Sequence, residues 1–195
     1  MTDRTAAGKS VAALMLVSLA ATLAHAAEPA TVCNVFAWTT DDDPKGLNVR
    51  AGPGASYPVI ATLPPPLQSE GYEFAPEVQI ASSENGWFRI IKAVLDDYGT
   101  AGGEKVVFTG SGWVSGRLLG TSVEGRYLRD GPSPGARPVL DFYEKLDSGG
   151  GPDSFAVERL LACNGLWLQV EGTYLDKKVS GWTNDTCSNQ VTTCP

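Results

Sequence analysis

The chain has 195 residues and a formal charge of −7, from 15 basic and 22 acidic side chains. That balance excludes the basic footprint of a nucleic-acid binder and argues against adhesion to an anionic membrane surface. The composition, 43% apolar and 19% charged with 22 glycines and 13 prolines, is that of a globular, loop-rich chain of the kind small β barrels use.

In chain order, residues 1–26 come first and are expected to be a secretory signal peptide. Arg4 and Lys9 against Asp3 make a basic start, Val11 to Ala24 is apolar except for Ser18 and Thr22, and Ala24-His25-Ala26 is a small-x-small cleavage site. The apolar run is 14 residues, too short to span a bilayer comfortably, and no cysteine follows the site directly, so no membrane anchor is expected after cleavage. Removal after Ala26 leaves 13 basic against 21 acidic residues, a charge of −8, and takes away His25, the only histidine. Without histidine the Ser-His-Asp and Cys-His nucleophile systems and the histidine-bearing zinc sites are excluded, whereas carboxylate-pair chemistry survives.

The strands follow. Val32–Ala37 is β-rich, Leu47-Asn48-Val49 alternates, Val59–Leu63 is a buried type stopped by Pro64-Pro65-Pro66, and Val78–Ser82 alternates again. Asn85-Gly86 is a turn dipeptide from which Trp87–Ile91 restarts, and Val106–Phe108 with Gly112–Val114 close the series. Ser154–Ala162 fits either period and is read as a strand, because it falls opposite Glu77–Ser82 in an internal repeat. That repeat aligns Gly46-Leu47-Asn48-Val49-Arg50-Ala51-Gly52-Pro53 with Gly125-Arg126-Tyr127-Leu128-Arg129-Asp130-Gly131-Pro132 at an offset of 79. Asn85-Gly86 lands on Asn164-Gly165 at the same offset, and Ser111-Gly112-Trp113 on Ser180-Gly181-Trp182 at 69, so the first copy carries ten extra residues, assigned to a surface loop near 95–105. The expected organisation is all-β: a signal peptide at 1–26, one small barrel at 27–120 and a second at 121–195, joined by a short link near Gly120-Thr121-Ser122.

Leu47–Ile60, Asn85-Gly86-Trp87 and Gly112-Trp113-Val114 together resemble the opening motif, the turn and the closing strand of the bacterial Src-homology-3 (SH3) domains. The resemblance covers about half of each unit by landmarks, and the second copy is degenerate: Tyr127 stands for the asparagine, Asp130 follows the arginine, and Leu166 is inserted before Trp167. It implies two tandem five-stranded SH3-like barrels, an exported location, and binding to peptidoglycan peptides or another envelope peptide or protein.

The ligand-binding candidates are Trp38, Tyr57, Arg50, Trp87 and Trp113. Trp38 has no counterpart in the second copy, which fits a role outside the core, and Tyr57 stands beside the same expected groove. Arg50 and Arg129 recur in both copies; a guanidinium can clamp a carboxylate, but bracing the Gly-Pro turn is the favoured role. Of Trp87, Trp113, Trp167 and Trp182, at least one per copy is expected to pack in the core. Asp41-Asp42-Asp43 lacks the ligand spacing of a calcium loop and is read as a solvated cluster. No metal and no cofactor are expected.

The four cysteines, Cys33, Cys163, Cys187 and Cys194, are expected to be bridged structurally. The favoured pairing is Cys163–Cys187 with Cys33–Cys194, since the segments around the Asn164-Gly165 turn and beyond Trp182 are neighbours in such a barrel. The rival is Cys187–Cys194 with Cys33–Cys163. Three functions are set against one another: a non-catalytic envelope-binding module, which leads; a protein-partner or structural subunit; and a carboxylate-pair glycan hydrolase, for which no motif selects two of the 21 acids.

Overall fold

The computed structural model describes residues 1, 30–69, 71–95 and 103–190. The expected signal peptide, the tip of the loop near 95–105 and Cys194 lie outside the described residues.

The chain is built from antiparallel β-strands joined by turns and short 3-10 segments. The first group comprises β1 (Thr31–Thr39), β2 (Leu47–Arg50), β3 (Val59–Leu63), β4 (Leu67–Ser69), β5 (Tyr72–Phe74), β6 (Glu77–Glu84), β7 (Trp87–Leu95), β8 (Lys105–Ser115) and β9 (Leu119–Gly120). The second comprises β10 (Ser122–Val123), β11 (Tyr127–Arg129), β12 (Pro138–Asp141), β13 (Phe155–Asn164), β14 (Trp167–Tyr174), β15 (Lys177–Thr183) and β16 (Thr186–Cys187). Ser154–Ala162 thus lies almost wholly in a strand, while the two short strands expected at 106–114 are one continuous β8.

The repeat is visible in the sheets. One has seven strands in the order β3-β2-β8-β7-β6-β1-β9, the other five in the order β12-β11-β15-β14-β13. Replacing each first-copy strand by its partner in the repeat converts the first five of the one into the whole of the other. The ends of the copies also correspond: β1 meets β9 at Trp38 and Thr39, and β10 meets β16 in a separate two-stranded ladder.

The repeated residues have identical duties. Arg50 Nη1 donates to Tyr57 O at 2.9 Å, and Arg129 Nη1 to Ala136 O at 2.8 Å, each clamping the turn that follows it. Inside those turns Gly54 N donates to Gly52 O and Ser133 N to Gly131 O, both at 2.9 Å. The Ser-Gly-Trp glycines are fixed by close approach. A Cβ on Gly112 would fall 2.3 Å from Val49, and one on Gly181 would fall 2.8 Å from Leu128, the residue equivalent to Val49. Any larger residue would push the closing strand off the opening one.

Alternation places Val78 and Ile80 of β6, Phe88 and Ile90 of β7, and Leu168 and Val170 of β14 in the interior, where each large side chain contributes roughly 1.5–3 kcal/mol by leaving water. Interior residues of the two groups form one continuous apolar cluster. The seam runs between β1 and β13. Asn34 N donates to Gly165 O at 2.8 Å, Gly165 N to Val32 O at 3.0 Å, and the buried Ser83 hydroxyl accepts from Cys163 N at 2.8 Å.

A Cys33–Cys163 disulfide closes this seam, with Cα atoms 5.9 Å apart. It overturns the favoured Cys163–Cys187 and Cys33–Cys194 pairings and agrees with the rival. The reason is tertiary: Cys163 lies on β13, whose end runs beside β1 through the parallel Cys33/Gly165 contact. Cys187 is also disulfide-bonded. Such bonds belong to a non-reducing environment. No helix among the described residues is long and apolar enough to cross a membrane.

Candidate functional site

The expected binding residues occupy separate places rather than one groove. Trp38 sits near the end of β1, half-buried, its indole lying over Gly120 on β9. It forms one wall of a cleft of about 490 Å³ whose other walls include Asp41, Asp42, Glu73 and Asn189. On its other side Trp38 borders a smaller cleft of about 270 Å³ with Pro152, Asp153 and Phe155 of the second copy. Gln190 fixes one edge of the larger cleft: its side chain accepts from Ala75 N at 2.9 Å and donates to Ala75 O at 2.8 Å. The cleft therefore combines an indole wall, the anchored amide of Gln190 and three carboxylates.

Tyr57 is exposed but lines none of these walls. Its ring lies against Gly52, where a Cβ would fall 2.4 Å from the ring, so it serves the turn that Arg50 clamps. Arg50 stands opposite Trp113 on β8, and Trp113 stands opposite Arg89 on β7. These three make a half-buried row across the outer face, with Arg89 Nε donating to Ser82 Oγ at 2.9 Å. In the second copy the row is Arg129, Trp182 and Gln169.

All five tryptophans are half-buried, and none fills the core. This departs from the expectation of at least one core tryptophan per copy. Strand parity decides it: Trp87 neighbours Phe88 and Trp167 neighbours Leu168, and Phe88 and Leu168 take the inward positions at 0% exposure. Trp87 instead lines a third cleft, of about 450 Å³, together with Asn85, Ser115, Arg117 and Arg159. The two arginines escaped the sequence reading, because nothing in their local sequence separates them from other surface cations.

No family model, curated protein or solved structure matches the chain.

Asp41 and Asp43 each accept from the backbone N–H two residues on, at 3.2 Å and 2.9 Å, and so shape the turn before β2. Among the described residues no group of three or more His, Cys, Asp or Glu side chains is placed to hold a metal ion. Two acids of the second copy, Asp141 and Glu158, have perturbed carboxyls, and neither lines the three clefts. Asp141 accepts two bonds from Arg126 Nε and one, at 2.7 Å, from Arg126 Nη2, and these hold its carboxyl below the ordinary aspartate range. Glu158 is held low by its bonds to Lys178 and Thr173. Arg126 also lies 5.0 Å from the Tyr127 ring centre and 5.4 Å from that of Tyr143, which stacks the pair against two aromatics.

Proposed function

We propose that this chain is an exported, non-catalytic binding module of the cell envelope, made of two tandem SH3-like barrels, and that the Trp38 cleft takes a peptidoglycan peptide or another envelope peptide. The observation that carries this reading is the Trp38 cleft itself, with its indole wall and the carboxylates of Asp41, Asp42 and Glu73. Wall peptides offer the complement: short apolar side chains for the indole and free amino groups for the carboxylates. The repeated strand order and clamped turns support the tandem-barrel part of the reading. The disulfide and the composition of residues 1–26 support export.

The test is co-sedimentation of the oxidised protein, from Ala27 onward, with isolated peptidoglycan at low and moderate salt. Pelleting that resists salt, falls severalfold in Trp38→Ala and persists in Tyr57→Ala is the expected result. Protein left in the supernatant under every condition overturns wall binding and leaves the protein-partner reading, to be pursued by crosslinking in the periplasm. Release of soluble sugar from the glycan would overturn the non-catalytic assignment.

A further inference from the structure

The third cleft lies where the two copies meet. Trp87, Ser115 and Arg117 come from the first copy, Arg159 and Leu161 from the second. Arg117 belongs to the 3-10 turn Gly116–Leu118, which packs onto β13. Gly116 N donates to Gly86 O at 2.9 Å, and a Cβ on Gly116 would fall 2.2 Å from Leu160 O and 2.6 Å from the Phe88 ring. Only glycine allows this approach, and it delivers the next residue, Arg117, to the mouth of the cleft.

The two guanidiniums differ in state. Arg117 is exposed, and its guanidinium has no hydrogen bond or ion pair among the described residues, while its backbone N–H bonds Ser115 Oγ at 3.4 Å. Arg159 Nη2 meets Glu171 Oε1 at 2.7 Å, which neutralises its charge, yet its Nε is buried with no acceptor. The cleft therefore carries one uncompensated positive charge and one indole face, on a protein that is otherwise strongly acidic.

We propose that this junction cleft is a carboxylate-binding site, distinct from the Trp38 cleft, that takes a monoanionic carboxylate attached to a small apolar or ring-shaped body. The Arg117 fork matches the two oxygens of a carboxylate, the Glu171-paired Arg159 adds N–H donors without net charge, and Trp87 with Leu161 covers the body. One net charge suits a monoanion and disfavours a phosphate dianion. Because each copy supplies part of the wall, a bound carboxylate also ties the copies together.

The experiment follows the Trp87 indole N–H by NMR in the oxidised protein from Ala27 onward, with the Trp38 indole as internal control. The probes are N-acetyl-alanyl-alanine, its C-terminal amide, glucuronic acid and inorganic phosphate. Saturable movement of the Trp87 signal with the free peptide acid, none with the amide, and roughly tenfold or greater weakening in Arg117→Ala are expected. Arg117→Ala removes an exposed, unbonded side chain, so an unchanged background spectrum verifies its fold, and Arg117→Lys should weaken binding less. Of the peptide acid and glucuronate, the tighter binder identifies the ligand source as a peptide terminus or an acidic sugar. Absence of movement with both acids at millimolar concentration overturns the proposal, as does equal movement with the amide, tighter binding of phosphate, or unchanged affinity in Arg117→Ala. These outcomes are independent of peptidoglycan pelleting, which reads the Trp38 cleft.

Discussion

The two copies share a backbone and differ in what fills it. At the offset of the repeat, Leu63 of the first copy corresponds to Phe142 of the second, and both are fully buried. Around Leu63 the first core is mostly aliphatic, with Val49, Val78, Ile80 and Ile90. Around Phe142 the second core is aromatic: the Phe155 ring centre is 5.6 Å away and Tyr174 meets it edge-on at 5.2 Å. The connection that follows differs to match. After Leu63 the first copy makes the β4–β5 hairpin, whereas after β12 the second makes 3-10 turns pinned by Tyr174, whose hydroxyl donates to Phe142 O at 3.0 Å. Kept in both copies are the residues that set backbone shape, the clamping arginine and the Ser-Gly-Trp glycine; side-chain volume is free to drift where a neighbour compensates.

The largest test of this comparison removes the two equivalent core residues. Phe142→Ala is expected to cost about 3–5 kcal/mol and Leu63→Ala about 2–5 kcal/mol, measured by urea unfolding. Because the apolar cluster is continuous, each variant should still unfold in a single transition. Two separate transitions would break the picture of a shared core. Replacing Cys33 and Cys163 together by serine comes next, at about 2–4 kcal/mol, since the bond closes a span of 130 residues. A smaller effect sharpens the likeness. Arg50→Ala and Arg129→Ala should each cost about 0.5–1.5 kcal/mol, and the two values should agree closely because the clamps are equivalent.

The smallest effect belongs to the second copy alone, where Arg126 and Asp141 stand at the positions of Leu47 and Thr62. The Asp141 carboxyl is lowered in the folded state, first by its bonds to Arg126. Its contribution is therefore complete above the ordinary aspartate value of about 3.9 and is lost as pH falls through the lower folded value. The stability gap between wild type and Asp141→Asn should accordingly narrow on acidification through that range, in urea titrations at constant salt. A gap that widens towards low pH would remove Asp141 from this role.

Much of the fold was legible because the signals were periodic. The bounds of Val59–Leu63 were read to the residue, though not its burial: it is an edge strand with Val59 and Ile60 exposed and only Leu63 buried; the repeat offset located β13 where its own pattern was ambiguous. The β4–β5 hairpin escaped because Pro64-Pro65-Pro66 reads as a stop, and a three-residue strand carries too few alternations to show after it. The tryptophans were misjudged on size alone. Parity held the answer, since Phe88 and Ile90 share a face that Trp87 cannot. Of the residues lining the clefts, Trp38 stood out in the sequence as one without a counterpart. The junction cleft did not, because its arginines are 42 residues apart and meet only through packing between the copies.

The β1–β13 bond has a consequence for how the protein is made. A chain that emerges from its N-terminus presents Cys33 long before the strand it must join, and the sequence separation of 130 makes that closure slow. A thiol waiting through synthesis would ordinarily risk capture by the wrong partner. Here the order of cysteines along the chain, Cys33, Cys163, Cys187 and then Cys194, removes the hazard. No cysteine lies between Cys33 and Cys163, so the first intrachain thiol that Cys33 can meet is its native one.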